Sequence, residues 1–430
     1  MLQKVVSSKK LNPHNYYRLP WSLTDNGISW LEVTTKCNLA CKGCYRDPNK
    51  EGHKTMEEIR EELNIFQAKR KSDCMSIAGG DPLVHPQIVE IVAMVKEMGW
   101  KPILNTNGLA LTLKLLKQLK KAGVYGFTFH IDTTQVRGDS KATFEKEHNQ
   151  LRTQFAKMLA DVGGLSCSFN QTVSERTLTQ IPDTVNWAKE NADIVHSIVF
   201  IIYREPSMAS DMQFFAGGKE VPSAESYNNT DFCGGRILKT QDVVDQIRTI
   251  DPQYDPCGYL NGTVDPESFK WTLAIRATDK KKVHGYMGAN FMQVVQSANH
   301  FFTGRWLSYC GPSMLKIGKT TMPLLAPLDR GARKSLFNFA KNTLKNPLAL
   351  LKRVNLQTIA IIQAVDFMPD GQINMCDGCP DITVYNGELY WSCRLEEIKE
   401  HGCFYTAVPR AKLASKPAKK TSAKKIKERV

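Results

Sequence analysis

The sequence predicts an α/β protein: a partial (βα)6 TIM-like barrel with a C-terminal cysteine-rich extension and a disordered basic tail. Three observations predict it. Between Trp30 and Tyr203, short runs rich in Ile, Val, Phe and Thr alternate with amphipathic helical patterns. Cysteines recur in two short clusters, one after the first of these runs and one near the C-terminus. Lys and Arg concentrate in two late segments, although the whole chain carries a formal charge of +14. A hydrophobic content of 42% excludes wholesale disorder, and 430 residues allow two or three domains with a large core.

Residues 1–29 form an N-terminal extension. Lys4, Lys9 and Lys10 are followed by no apolar run, so no export signal is expected, and no segment is long enough to span a bilayer. The expected setting is therefore a reducing cytoplasm, in which clustered thiols act as metal or redox groups rather than disulfides. Strands are predicted at Trp30–Thr35, Met75–Ala78, Pro102–Thr106, Phe127–Asp132, Leu165–Val173 and Ser197–Tyr203. Between them, Thr55 and Glu58 form a capping box ahead of Ile59, Leu63 and Phe66. Pro86 and Gly99 bracket a helix with Ile88, Ile91, Val92 and Val95 on one face. Leu113, Leu116 and Leu119 precede Gly123, a long helix is expected from Lys141 to Asp161, and another carries Trp187 and Ala188. Such alternation implies parallel strands with right-handed crossovers and chemistry at the strand C-terminal ends. Residues 30–205 are thus the predicted barrel, and 206–315 a barrel-capping or substrate region. Residues 316–365 read as a basic amphipathic helical segment, 366–408 as the cysteine-rich region and 409–430 as a disordered Lys-rich tail.

Cys37, Cys41 and Cys44 form a C-x3-C-x2-C loop directly after the first strand. Three thiolates on one loop bind three corners of a [4Fe–4S] cube and leave the fourth iron open, as a catalytic metal site requires. A zinc knuckle with a distant fourth ligand is the alternative. Gly79-Gly80-Asp81-Pro82 follows the second strand, and Thr106-Asn107-Gly108 ends the third. With the six-unit order, these motifs resemble the radical S-adenosylmethionine (radical SAM) enzymes, over Trp30–Tyr203.

The resemblance implies a [4Fe–4S] cluster on Cys37, Cys41 and Cys44, S-adenosylmethionine bound at its open iron, and a one-electron donor such as flavodoxin or ferredoxin. It implies cofactor contacts from Gly43, Gly79, Gly80, Asp81, Asn107 and Asn170, with Asp81 accepting from the methionine ammonium. The family more often has glutamate at the Asp81 position and a bulky residue at the Gly43 position, where Tyr45 could compensate. His130 and Asp132 end the fourth strand and are the catalytic candidates, with a structural role at the rim as the alternative.

The second cluster comprises Cys376, Cys379, Cys393 and Cys403, with a hairpin signal at Asn386-Gly387 that returns Cys393 towards the first pair. It resembles the C-terminal domains of peptide-modifying radical SAM enzymes, with a different spacing, and implies a second [4Fe–4S] cluster; a zinc ribbon is the alternative. Cys233, Cys257 and Cys310 are spare thiols that could replace a distant ligand.

Two segments own the basicity. Lys316–Arg353 and Pro409–Val430 each hold nine Lys/Arg and one acid. In the first, Phe337, Ala340 and Leu344 repeat at helical spacing among Arg330, Arg333, Lys334, Lys341 and Lys345. That pattern suits either an anionic membrane surface or a helix over the barrel mouth with a solvated charged face. No nucleic-acid-binding module accompanies the charge, so no specific nucleic-acid partner is expected. The expected substrate is accordingly a lipid or isoprenoid-like tail at the membrane surface, with a peptide or protein as the alternative.

Overall fold

Side chains alternate along six strands so that one face meets helices and the other lines the inside of a curved sheet. These strands are β1 (Ile28–Thr34), β2 (Cys74–Gly79), β3 (Lys101–Thr106), β4 (Gly126–His130), β5 (Ser166–Val173) and β6 (Ser197–Ile202), paired in parallel in chain order. The computed structural model describes residues 9–41, 44, 52–204, 212–221 and 236–410. Gly43, Tyr45, Cys233 and the tail from residue 411 onward lie outside the described residues.

The helices form where their caps and periodicity require. Helix α1 (Met56–Lys69) starts in the expected capping box, Glu58 N–H donating to Thr55 Oγ1 at 3.2 Å. Helices α2 (Ile88–Glu97), α3 (Leu113–Ala122), α4 (Asn149–Val162) and α5 (Ile181–Glu190) follow. Thr112 caps α3, and Gly123 ends it in the left-handed region (φ 97°). Helix α4 is shorter than expected, because a 3-10 turn at Glu145–His148 precedes it. Strand residues Leu31, Val33, Ile77, Leu104, Phe127 and Phe169 pack against Ile59, Leu63, Phe66, Ile91 and Leu116 in one core, in which Phe129 stacks on Phe127, Phe155 and Phe169.

The sheet does not stop near residue 205. After α6 (Thr240–Ile250), β7 (Trp271–Thr278) and β8 (Val283–Tyr286) pair antiparallel. Helices α7 (Ala289–Thr303) and α8 (Arg330–Lys345) come next. Strand β9 (Asn355–Gln363) then runs parallel to β6 and antiparallel to β7. The segment expected to be helical to residue 365 therefore ends in a strand. Asn355–Gln363 is buried along most of its length, which suits a central strand.

The cysteine-rich region lies against the strand starts. Hairpin strands β10 (Ile382–Tyr385) and β11 (Glu388–Trp391) turn through Asn386 and Gly387, both with positive φ. Cys376, Cys379 and Ile382 pack with Ile28, Cys74 and Ile103 in a second core, to which Trp271, Trp306 and Tyr309 also belong. This core closes the barrel at its strand-start end. Arg70, 2% exposed, clamps the two parts together. It donates to Ile28 O (2.8 Å), Ser29 Oγ (3.1 Å) and Cys379 O (2.8 Å).

Removing that guanidinium leaves several buried acceptors unpaired. Arg70→Met is expected to lower stability by about 3 kcal/mol in denaturant unfolding and to speed alkylation of Cys376 and Cys379. Unchanged stability and labelling would contradict the clamp.

Candidate functional site

The site is built where β1, β2 and β3 end. Gly79 and Gly80 let the second strand end press against the first, with Gly80 N–H donating to Thr34 O (2.8 Å) and Asp81 N–H to Lys36 O (2.9 Å). A Cβ on Gly79 (φ 125°) would stand 2.0 Å from Thr34 O, and one on Gly80 2.3 Å from Lys36 O. Backbone oxygens cannot give way, so only glycine fits at either position.

Asp81 is 1% exposed. Its carboxylate accepts from Leu83 N–H (2.9 Å), Thr106 Oγ1 (2.8 Å) and Asn107 N–H (2.8 Å). Burial raises its pKa, against the effect of those donors. The resemblance implies a contact to the methionine ammonium. The structure instead places this carboxylate beneath the surface, where three protein donors occupy it. Thr106, named in the sequence only as part of the motif that ends the third strand, is one of them.

Asn107 occupies the position this network gives it. Its Nδ2 donates to Asn38 Oδ1 (2.7 Å) and lies 3.8 Å from Cys37 Sγ. Leu39 N–H also points at Cys37 Sγ (3.5 Å). Cys37, Cys41 and Cys44 lie close enough to feel one another's charge, and burial pushes the Cys37 and Cys41 thiols up. Cys41 bridges to Gln135 through the backbone. The buried Arg137 donates to Asn107 O (2.8 Å) and Gln135 Oε1 (2.9 Å), and its positive charge lowers the pKa of Cys41. A lone arginine in a loop offers no sequence pattern, so Arg137 was missed. Three thiols within electrostatic reach of one another, on a loop held by Arg137 (itself paired with Asp139 at 2.8 Å), suit a thiolate-bound cluster. As they stand, no three His, Cys, Asp or Glu side chains among the described residues are arranged to hold a metal ion.

The fourth and fifth strands supply the rest of the rim. His130 Nε2 meets Asp132 Oδ2 at 2.7 Å and Thr172 Oγ1 at 3.0 Å. Asp132 is fully buried and also accepts from Thr134 N–H (2.9 Å) and Thr172 N–H (2.7 Å). Burial works against charge on both partners. Their mutual attraction outweighs it, raising the His130 pKa and holding Asp132 well below the usual carboxylate range. The His130 side chain remains 35% exposed. Asn105 Nδ2 and Asn170 Oδ1 are buried atoms with no hydrogen-bond partner among the described residues. Asn170 was expected at such a site; Asn105 was not.

Cys376, Cys379 and Cys393 also come together, and nearby thiols, together with burial, raise the pKa of Cys379 and Cys393. Asp381 beside them is pushed up to about 7 by burial, which Arg70 partly offsets. Cys403 packs instead at the small sheet, with Met212, Phe214 and Tyr405.

Residues 31–188 match the model of the Radical SAM superfamily. This part of the chain is a radical SAM domain. The superfamily uses a [4Fe–4S] cluster and S-adenosylmethionine, and its members are enzymes. The chain is 28% identical over 188 residues to the AdoMet-dependent heme synthase of Methanosarcina barkeri, a match covering 41% of this chain and half of that protein. It is 24% identical over 243 residues to the Probable GTP 3′,8-cyclase of Methanococcus maripaludis, covering 49% of this chain and 81% of the relative. The crystal structure of Streptococcus suis SuiB bound to its precursor peptide SuiA aligns with 42% of this chain and 40% of its own, at 18% identity and a TM-score of 0.34. The radical SAM domain thus accounts for the strand-end site, while the chain beyond residue 188 lies outside the family match.

The His130–Asp132 pair gives this rim a pH signature. A raised imidazole pKa contributes stability that is complete below the ordinary value near 6.5 and fades as pH rises through the raised one. The stability difference between wild type and His130→Gln is therefore expected to shrink as pH rises above about 6.5 in thermal unfolding. A difference that grows with pH would contradict a protonated His130.

Proposed function

We propose that the chain is a radical SAM enzyme that abstracts hydrogen from a polar organic substrate at the strand-end rim. The observation behind this reading is the three-thiol loop after β1, braced by the Gly79–Asp81 corner and Asn107. When bound, a reduced [4Fe–4S] cluster would supply one electron for the reductive cleavage of S-adenosylmethionine, the source of the hydrogen-abstracting group. Cys37, Cys41 and Cys44 would hold that cluster, with Arg137, itself paired with Asp139 (2.8 Å), beside it. Asn170 Oδ1 and Asn105 Nδ2 offer an acceptor and a donor to bound ligands. His130 holds a proton at the rim, oriented by Asp132.

A polar substrate, such as a peptide or protein side chain, suits this rim of His, Asn and Thr residues better than an isoprenoid-like tail does. The lipid reading rests on the basic segment, which lies at the other end of the sheet. Gly318 N–H donates to Val354 O (3.0 Å), and Thr278 pairs with Asn355, the first residue of β9. Cys376, Cys379 and Cys393, completed by a donor other than Cys403, would hold a second cluster at the strand-start end. A flavodoxin- or ferredoxin-like protein would deliver the electron.

Anaerobic reconstitution tests both sites. About eight irons per chain are expected, and about four after Cys37, Cys41 and Cys44 are replaced by Ala, with 5′-deoxyadenosine formed only by the wild type. No 5′-deoxyadenosine above background would overturn the catalytic reading. Zinc in the C-terminal site would overturn the second cluster.

A further inference from the structure

The apolar stripe predicted in the basic segment does not face the core. Helix α8 buries a different side, with Ala332 and Phe339 packed against Met287, Phe291, Met322 and Val354. Its inner face also includes the buried Ser335. Phe337 (67% exposed) and Leu344 (86%) point outwards, followed by the exposed Leu348, Leu350 and Leu351. Monomeric proteins seldom leave such a run of large apolar side chains in water.

Charge shares that face. Arg330, Arg333, Lys334, Lys341, Lys345 and Arg353 are all exposed. The one acid of Lys316–Arg353, Asp329, is buried and accepts from Ala332 N–H (2.6 Å), Gly288 N–H (2.9 Å) and Phe291 N–H (3.1 Å). It caps α8 and leaves the outer face without an anion of its own segment. Among the described residues, no carboxylate stands within ion-pair distance of Lys334, Lys341, Lys345 or Arg353.

We propose that this face docks the protein peripherally on an anionic phospholipid surface. Exposed Phe and Leu enter the headgroup boundary while the flanking Lys and Arg meet lipid phosphates and carboxylates. Self-association fits less well, because a two-fold contact would set six cations against six. The C-terminal tail is an unfavourable occupant too, since it carries the same sign of charge. No helix among the described residues is long and apolar enough to cross a membrane, so the contact is interfacial. Because the face adjoins β8 and the start of β9, docking leaves the Cys37 rim turned towards water. The proposal does not depend on the catalytic reading, and its test needs no loaded cluster.

The test is flotation of the full-length chain with phosphatidylcholine vesicles, with and without about 30% phosphatidylserine, at low and high salt. The chain is expected to float with the anionic vesicles and to lose binding at high salt. Phe337→Ser with Leu344→Ser, both at exposed positions, is expected to weaken binding at least tenfold while the melting temperature holds. A chain ending at residue 410 is expected to keep that apolar dependence. Binding that is unchanged in the double variant, or equally strong to neutral vesicles, would overturn the proposal. So would an oligomer that the double variant dissociates, or a single-stranded RNA bound as tightly as the anionic vesicles and lost in the same variant.

Discussion

The Asp81 carboxylate is the tie on which the site depends. It sits at the corner where β2 ends, and its two oxygens gather donors from its own turn and from the end of β3. Gly79 and Gly80 bring the same corner against the carbonyls of Thr34 and Lys36 at the end of β1. Three strand ends are thereby held at one height, and Asn107 is fixed beside Cys37. A buried carboxylate is costly unless its lone pairs are satisfied, and here each donor that satisfies it also fixes a loop. The cysteine loop needs such bracing, because a thiolate ligand set is useful only if its backbone is held before the metal arrives.

The two ends of the barrel differ in chemistry. At the strand C-terminal ends, Asn107 approaches the thiol loop, and the His130–Asp132 pair lies at the end of β4. At the other end, Trp271, Trp306, Tyr309, Cys376 and Cys379 fill the interior. On the proposed reading, substrate would enter from the polar rim. The amphipathic face of α8 is at the filled end, which separates the surface where the protein could rest from the opening where it reacts.

Much of this was legible in the sequence, for physical reasons. Strand alternation and helix caps are local signals, so β1 to β6, the Thr55–Glu58 box and the Asn386-Gly387 turn fall close to where the residues placed them. Strand β9 was missed because its pairing partners lie 77 or more residues away, and a short apolar run after a helix carries no trace of them. The stripe of Phe337, Ala340 and Leu344 has the right period, yet periodicity states only that a face exists. Which face is buried depended on Phe339 and the small Ser335 fitting against His284 and Gly285 of β8, with Ala332 in the same core as Phe291 of α7. Buried arginines such as Arg70 and Arg137 act through backbone carbonyls brought together by the fold, and no motif announces them. The burial of Asp81 is of the same kind: its donors Leu83, Thr106 and Asn107 are brought together by the fold.

The most direct test is electron paramagnetic resonance of the reduced full-length protein in which Cys376, Cys379 and Cys393 are replaced by Ser, recorded with and without S-adenosylmethionine. Only the cluster on Cys37, Cys41 and Cys44 then contributes. Direct binding at an open iron predicts that S-adenosylmethionine changes the spectrum and that replacing the three loop cysteines abolishes the signal. Identical spectra with and without S-adenosylmethionine would contradict the account.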